Sequence, residues 1–326
     1  MTRQLTARIE TYPVRGAFVI ARGAKTHVDV VVAEIEDGPA RGRGEGTAIY
    51  YRGESAAGVL AAVEAQADAI AAGASRADLL ALMPAGAARN ALDAALWDLE
   101  AKQAGVAVWR TLGLPTPQPM LTAFTISLGE PGAMEADARA ASSRELLKLK
   151  LSGEGDIERV AAVRRGAPDA RLIVDANEAW GRADIERLAH QLAALRVELI
   201  EQPVPAGEDH ILDHVRSPIP LCADESCHDR ATVGSLIGRY RFINIKLDKA
   251  GGLTEALALA AAAKQRGLGL MTGCMLSTSL GVAPAFMVGM QSQFADLDGP
   301  LLIEDRPGGM RFAGSDVWPP EAELWG

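Results

Sequence analysis

The sequence predicts an α/β protein in two parts, a small α+β module followed by a parallel βα barrel. Three observations carry this. From about residue 119 onward, apolar strand-like runs alternate with helical stretches. Five charged side chains, Lys150, Asp175, Glu201, Asp224 and Lys246, recur at intervals of roughly two dozen residues, the length of one βα unit. The first third instead runs strands first and helices after them.

In the first third, TARIETYPV and DVVVAEIED read as strands, and GPARGRGEG after them reads as turn-rich. Ser55 to Ala72 is Ala-rich and helix-prone. Ala87 to Gln103 carries Ala88, Ala91, Leu92, Ala95, Leu96 and Leu99 at helical spacing, with Gly105 where a C-cap belongs. The Pro-rich LGLPTPQPM closes this module, so residues 1–118 form the expected α+β capping domain. Residues 119–310 are the expected barrel. Its strands are LTAFTISL, LLKLKL, RLIVDA, VELIEQ, PLCADE, FINIKL, LGLMTG and FADLDG, with helices such as Ile157 to Arg165, Ala183 to Leu195 and Leu253 to Arg266 between them. Residues 311–326, RFAGSDVWPPEAELWG, read as a segment packing back on the cap. The rival is an open doubly wound sheet, but GRGEG lacks the dinucleotide fingerprint and no GxxxxGK[ST] occurs.

A net charge of -9 argues against nucleic acid as a partner, because binding phosphates takes a basic face. The N-terminus has no apolar signal-peptide core. The most apolar stretch, Leu268 to Met290, is interrupted by glycines, hydroxyls and Pro284, which suits a strand, a loop and a packed helix rather than a membrane span. Cys222, Cys227 and Cys274 form no CxxC pair, so zinc and a disulfide framework are poorly supported and a cytoplasmic setting is expected.

Asp175, Glu201 and Asp224 each end an apolar run in successive βα units. A parallel barrel gathers such strand ends at one mouth, where three carboxylates suit one hard cation, Mg²⁺ or Mn²⁺. Lys148 and Lys150 alternate with Leu147, Leu149 and Leu151, which puts both lysines on one strand face. The outer face of a parallel barrel is covered by helices, so they are expected to point inward, as is Lys246 in INIKL. Lys249, beyond that strand, reads as a loop charge. Asp296 and Asp298 are either a same-face pair suited to an ammonium group or a turn-forming Asp-Gly, and the pattern leaves both open.

The segments PAGAARNALDAALWDL, LKLK, LIVDANEAW, EQP, CADESCHDR, YRFINIKLDKAGGLTEALALA, TGCMLSTSLG and DLDGP resemble the enolase superfamily in its muconate-lactonizing subgroup. Within it they are most similar to the bacterial L-Ala-D/L-Glu epimerases, a group of dipeptide epimerases. The resemblance implies a (β/α)7β TIM-like barrel with an N-terminal capping domain. It implies one Mg²⁺ on Asp175, Glu201 and Asp224, an acid/base pair of Lys150 and Lys246, and an electrostatic role for Lys148. It implies substrate contacts from Thr125, Cys274 and Met275, with Asp296 and Asp298 on the dipeptide ammonium and Arg22 on the glutamate side chain.

The implied activity is epimerisation of an L-Ala-D/L-Glu dipeptide by 1,1-proton transfer through an enediolate, in the recycling of cell-wall peptides. A dipeptide is then the expected small-molecule partner, with no nucleic acid or membrane partner and homo-oligomerisation left open. The alternatives are a dipeptide epimerase of other side-chain specificity, an N-acylamino acid racemase or an o-succinylbenzoate synthase. The last two take substrates with no free ammonium, which leaves the Asp296/Asp298 pair unexplained. A barrel that had lost its chemistry would be expected to lack a ligand or a lysine, and none is missing.

Overall fold

The structure, a computed structural model, describes residues 2–20, 23–181 and 184–326. Its first part is an antiparallel sheet of β1 (Gln4–Ile20), β2 (Gly23–Asp37) and β3 (Ala40–Thr47). The helices α1 (Ala56–Glu64), α2 (Ala67–Ala71), α3 (Arg76–Leu82) and α4 (Ala87–Ala104) pack on it. The helix-prone run from Ser55 breaks at Ala65 and Gln66 into two helices. Gly105 does end α4, in the left-handed conformation with φ 63°.

GPARGRGEG is not a turn beyond its first two residues: β3 occupies it from Ala40. Its glycines alternate because one face of β3 lies directly against the backbone of α4. A Cβ on Gly42, Gly44 or Gly46 would stand 2.2, 2.1 or 2.2 Å from the carbonyl oxygen of Ala95, Ala91 or Ala87. Glycine, rare in strands, here marks close backbone approach and not a loop.

After the short β4 (Met120–Leu121) comes the barrel. Among the described residues its eight parallel strands are β5 (Phe124–Ile126), β6 (Leu146–Lys150), β7 (Arg171–Asp175), β8 (Val197–Glu201), β9 (Leu221–Ala223), β10 (Phe242–Lys246), β11 (Gly269–Gly273) and β12 (Phe294–Asp296). They pair in chain order. The ends meet where the Ala123 N–H donates to the Ala295 carbonyl (2.8 Å) and the Leu297 N–H to Thr122 Oγ1 (2.8 Å). All eight match the expected strands, and the open-sheet alternative is excluded. The crossovers vary: long helices such as Asp156–Gly166 and Leu253–Gln265 alternate with a single 3₁₀ stretch, Asp209–His214, and one turn at Val233–Leu236. The apolar run from Leu268 splits into β11 and the buried helix Ser279–Gly289. No helix of the described residues is long and apolar enough to cross a membrane.

Strand alternation sorts the barrel. Leu147 and Leu149 of β6 join the apolar layer shared with the helices. Leu146 joins Ile173, Leu199, Cys222 and Met271 in an interior floor. Lys148 and Lys150 continue the Leu146 face and so rise from that floor.

Helix α4 bolts the cap to the barrel just beyond β10. Arg89 donates to the carbonyls of Ala250 (2.7 Å) and Gly251 (2.9 Å), and Asn90 to Asp248 Oδ1 (2.8 Å). Asp93 accepts from the N–H and hydroxyl of Thr254. The chain end returns to α4: the Trp325 indole donates to the Ala94 carbonyl and the Gly326 N–H to Asp98. Before it, β13 (Phe312–Ala313) and β14 (Asp316–Val317) form a small sheet with β4.

Candidate active site

Asp175, Glu201, Lys246 and Asp296 are the last residues of β7, β8, β10 and β12, and Asp224 directly follows β9. All therefore reach the same mouth. Asp175, Glu201 and Asp224 are buried and offer carboxylate oxygens within 4.8 Å of one another. Each carboxylate has a rear oxygen held by a fixed donor. Asp175 Oδ1 accepts the Asn177 N–H (3.0 Å), Glu201 Oε1 the Asn244 side-chain amide (2.7 Å), and Asp224 Oδ1 the Lys249 ammonium (2.5 Å).

The front oxygens meet the other lysines. Lys150 Nζ is 2.6 Å from Asp175 Oδ2 and Lys246 Nζ 2.7 Å from Asp224 Oδ2. Lys148 Nζ lies 2.7 Å from Glu201 Oε2 and 3.4 Å from Asp175 Oδ2. Beyond this ion pair with Lys148, Glu201 Oε2 accepts no hydrogen bond among the described residues. Front oxygens on three buried carboxylates, one of them held by no hydrogen bond, fit a small hard divalent cation, which prefers oxygen ligands.

The charges shift one another. Burial raises Asp175, but Lys150 and Lys148 outweigh it and hold the carboxyl at about 2. Asp224 is likewise held well below the usual carboxylate range, by Lys246 and Lys249 against burial. Burial and the Asp175 charge push Glu201 up to about 7. Burial disfavours the Lys148 and Lys246 ammoniums, yet the carboxylates around them keep both well above the usual lysine range.

Gln202, at φ 34°, ties two ligand strands together. Its side-chain Oε1 accepts the N–H groups of Asp224 (2.8 Å) and Ser226 (3.1 Å), and the two N–H bonds of its side-chain amide are shared among Val204 O, Ser226 Oγ and, at a longer 3.2 Å, Tyr240 Oη. Sequence patterns assign Gln202 no role, although its place directly after Glu201 in EQP is the available signal. Lys249 requires a correction. It is not a loop charge but one of the largest fully buried side chains, because the one-turn helix Leu247–Ala250 folds it back beneath Asp224.

A cavity of about 210 Å³ opens above the carboxylates, lined by Lys150, Lys246, Asp224, Cys274 and Met275 from the barrel. The cap contributes Phe18, Lys25, Thr47 and Tyr51. Asp296 and Asp298 stand beside this cavity and do not line it. Asp296 Oδ2 takes Lys148 at 2.7 Å, and Asp298 Oδ2 accepts the Thr125 N–H at 2.6 Å. Burial and the Asp296 charge push Asp298 up to about 7. Arg22 lies outside the described residues. Lys25, three residues further along the sequence, is a half-buried cation 4.4 Å from the Tyr50 ring centroid, and no carboxylate of the described residues pairs with it.

Residues 133–307 match the model of an enolase C-terminal domain-like family. Residues 3–113 match that of the mandelate racemase / muconate lactonizing enzyme N-terminal domain. The chain is 45% identical over 296 residues to the L-Ala-D/L-Glu epimerase of Escherichia coli strain K12, covering 90% of this chain and 92% of that one. It is 47% identical over 250 residues to an N-acetyl-D-glutamate racemase of a Pseudoalteromonas species, covering 76% and 79%. Among solved structures, an enolase family member from Agrobacterium tumefaciens with homology to dipeptide epimerases, with bound sodium and L-Ala-L-Glu, superposes with a TM-score of 0.97. It is 50% identical, with 99% of this chain and 100% of that one covered. The dipeptide epimerase of Enterococcus faecalis V583, complexed with Mg and L-Leu-L-Tyr, gives 0.91 at 31% identity, with 98% of each chain covered. Family models over both parts, a relative aligned along nine-tenths of the chain and the barrel mouth itself agree: the chain belongs to the enolase superfamily, in its mandelate racemase / muconate lactonizing enzyme family.

Proposed function

We propose that this protein is a Mg²⁺-dependent epimerase of L-Ala-D/L-Glu-type dipeptides. The observation that carries the proposal is the placement of two lysines. Lys150 and Lys246 enter one cavity from β6 and β10, four places apart in a ring of eight strands, and so from opposite sides. Such a pair suits removal of the α-proton from one face of the glutamyl residue by one lysine and return of a proton to the other face by its counterpart.

Asp175, Glu201 and Asp224 would hold the metal through their front oxygens. Bound there, Mg²⁺, or Mn²⁺ in its place, supplies a Lewis acid for the substrate carboxylate. Lys148 adds positive charge beneath the reacting carbon. Asp296 and Asp298 would take the dipeptide ammonium beside Thr125, while Cys274 and Met275 wall the pocket. Lys25 is the described cation best placed for an acidic side chain, and burial lowers its pKa as expected for an ammonium awaiting a partner.

A second reading, racemisation of an N-acylated glutamate, is favoured by the Pseudoalteromonas relative and by the rise of Asp298 to about 7, where a carboxyl is partly neutral. The test is α-proton exchange in D₂O with Mg²⁺, followed by NMR, on L-Ala-L-Glu, L-Ala-L-Leu and N-acetylglutamate. The expected outcome is highest kcat/KM for L-Ala-L-Glu. Preference for N-acetylglutamate would overturn the dipeptide assignment in favour of the second reading.

The proposal extends to a cap of residues 1–118, a barrel of 119–310 and a C-terminal segment of 311–326. Its setting is a cytoplasmic one, in the recycling of cell-wall peptides. The net charge of -9 weighs against a nucleic-acid partner.

A further inference from the structure

We propose that Lys249 is a positioning residue, a strut that fixes Asp224 so that one oxygen alone faces the metal site. This rests on the metal reading above. Lys249 is 1% exposed and does not line the cavity, unlike Lys150 and Lys246, so it does not touch substrate. An ammonium has three N–H bonds to give, and all three of its donors are committed. They go to Asp224 Oδ1, to the Asp224 backbone carbonyl and to the Asn244 carbonyl at 3.1 Å.

The rear oxygens of the three carboxylates are each held by a different kind of donor: a backbone N–H, a side-chain amide and, at Asp224 alone, a charged group. Asp224 also has the greatest need of one. Its front oxygen is already claimed by Lys246 at 2.7 Å, and a carboxylate pulled only from that side would swing toward it. Lys249 pulls from behind, and Asn244 serves both ligands, accepting from Lys249 and donating to Glu201.

The strut is itself clamped by the cap. Arg89 holds the carbonyls of Ala250 and Gly251, the residues directly after Lys249. Gly251 and Gly252 adopt φ 75° and 118°, and a Cβ there would fall 2.6 Å from Arg89 Nε and 2.5 Å from the Asp93 side chain. The turn therefore has one conformation available under α4.

A strut and a mere nearby charge predict opposite signs. Removing a positive charge close to a cation site tightens cation binding by Coulomb's law. Removing a strut weakens it, and loss of a group that orients a metal ligand typically costs about 10–100-fold in affinity. The experiment is Mn²⁺ titration of the metal-free full-length protein by electron paramagnetic resonance, with wild type, Lys249→Met and Lys249→Gln, and a thermal melt of each. The expected result is a dissociation constant at least about ten-fold weaker for Lys249→Met. Lys249→Gln, which keeps two donors without the charge, should fall between it and wild type. Binding as tight as wild type or tighter in the folded variants overturns the strut. If Lys249→Met does not fold, Lys249→Gln decides on the same criterion. A wild type that binds no Mn²⁺ would bring down the metal reading and the strut with it, an outcome distinct from unchanged variants.

Discussion

Lys148 Nζ lies 2.7 Å from Asp296 Oδ2, joining the last strand of the barrel to the carboxylates of β7 and β8 that the same ammonium also touches. The Asp296/Asp298 pair and the metal site therefore share a single buried cation. Removing one partner from a buried charge cluster typically costs about 3–5 kcal/mol. Lys148→Met should lower the melting temperature of the metal-free protein, and Mg²⁺ should restore part of the loss by replacing the missing charge. Calorimetry with and without Mg²⁺ checks this; an unchanged melt without metal would show that the ammonium does not offset these carboxylates.

The lysines on β6 and β10 should fail separately. Lys150→Ala and Lys246→Ala are each expected to abolish epimerisation while retaining α-proton exchange with solvent for one epimer, a different epimer in each case. NMR in D₂O on the L,L and L,D dipeptides reads this. Near wild-type epimerisation by either variant would end the two-base assignment.

Lys25 offers a test of side-chain specificity. A hydrogen bond to a charged group contributes about 1.5–3 kcal/mol. Lys25→Met should therefore lower kcat/KM for L-Ala-L-Glu by about ten- to a hundred-fold and leave L-Ala-L-Leu nearly unaffected. Equal losses on both substrates would place the acidic side chain elsewhere.

A pH dependence is built into the cap–barrel junction. Glu45 of β3 is buried against Thr278 and accepts its N–H at 2.8 Å. Burial pushes it from an ordinary 4.5 up to about 7, against Arg306 and the Thr278 bonds. The folded state holds this proton up to about 7 and the unfolded state only to 4.5, so Glu45 lowers stability as pH rises through that window and no further above it. Glu45→Gln lacks the titration. Its melting temperature relative to wild type should rise between pH 4.5 and pH 7, and a constant gap would contradict the shift.

The alternating glycines of β3 make a stability prediction. In Gly44→Ala the new methyl would meet Ala91 O at 2.1 Å and Ala95 N at 2.6 Å. Overpacking costs roughly 1–3 kcal/mol, and backbone atoms on both sides place this case at about 3 kcal/mol or above. Gly132→Ala, in the helix Pro131–Ala140 and with nothing within 4 Å of the new methyl, is the control expected to melt no lower than wild type. Chemical denaturation of both variants decides.

The barrel was legible because its signals are local and repeated. Each strand is a short apolar run, and each of Asp175, Glu201 and Asp224 ends or directly follows one. The inward turn of Lys148 and Lys150 follows from their alternation with leucines, which puts both on one face, and from the cost of burying ammoniums under the helices on the outer face. What could not be read depended on a neighbour distant in sequence. The glycines of β3 resemble turn residues until α4, some 50 residues later, is laid against them. Lys249 looks like a surface charge until Asp224 and Asn244 are brought over it by tertiary packing. Gln202 carries no charge, and its partners at Ser226 and Tyr240 come from other loops. The placement of Asp296 against Lys148 likewise needs closure of the ring between β5 and β12, which no pattern within one strand encodes.

The bolts from α4 have a consequence for anyone redesigning this pocket. The wall formed by Thr47 is tied to Asp248 at 2.9 Å, two residues from Lys246, and Asp248 is in turn tied to α4 by Asn90. A substitution that shifts this wall is transmitted to a reacting lysine, so variety introduced there will be purged along with activity. Phe18 and Lys25, on β1 and β2, line the same cavity without any such tether to the β10 turn. Libraries aimed at new side chains belong at Lys25, whose ammonium faces the Tyr50 ring, rather than at Phe18, whose ring centroid lies 5.8 Å from Lys150 Nζ and so borders a reacting lysine.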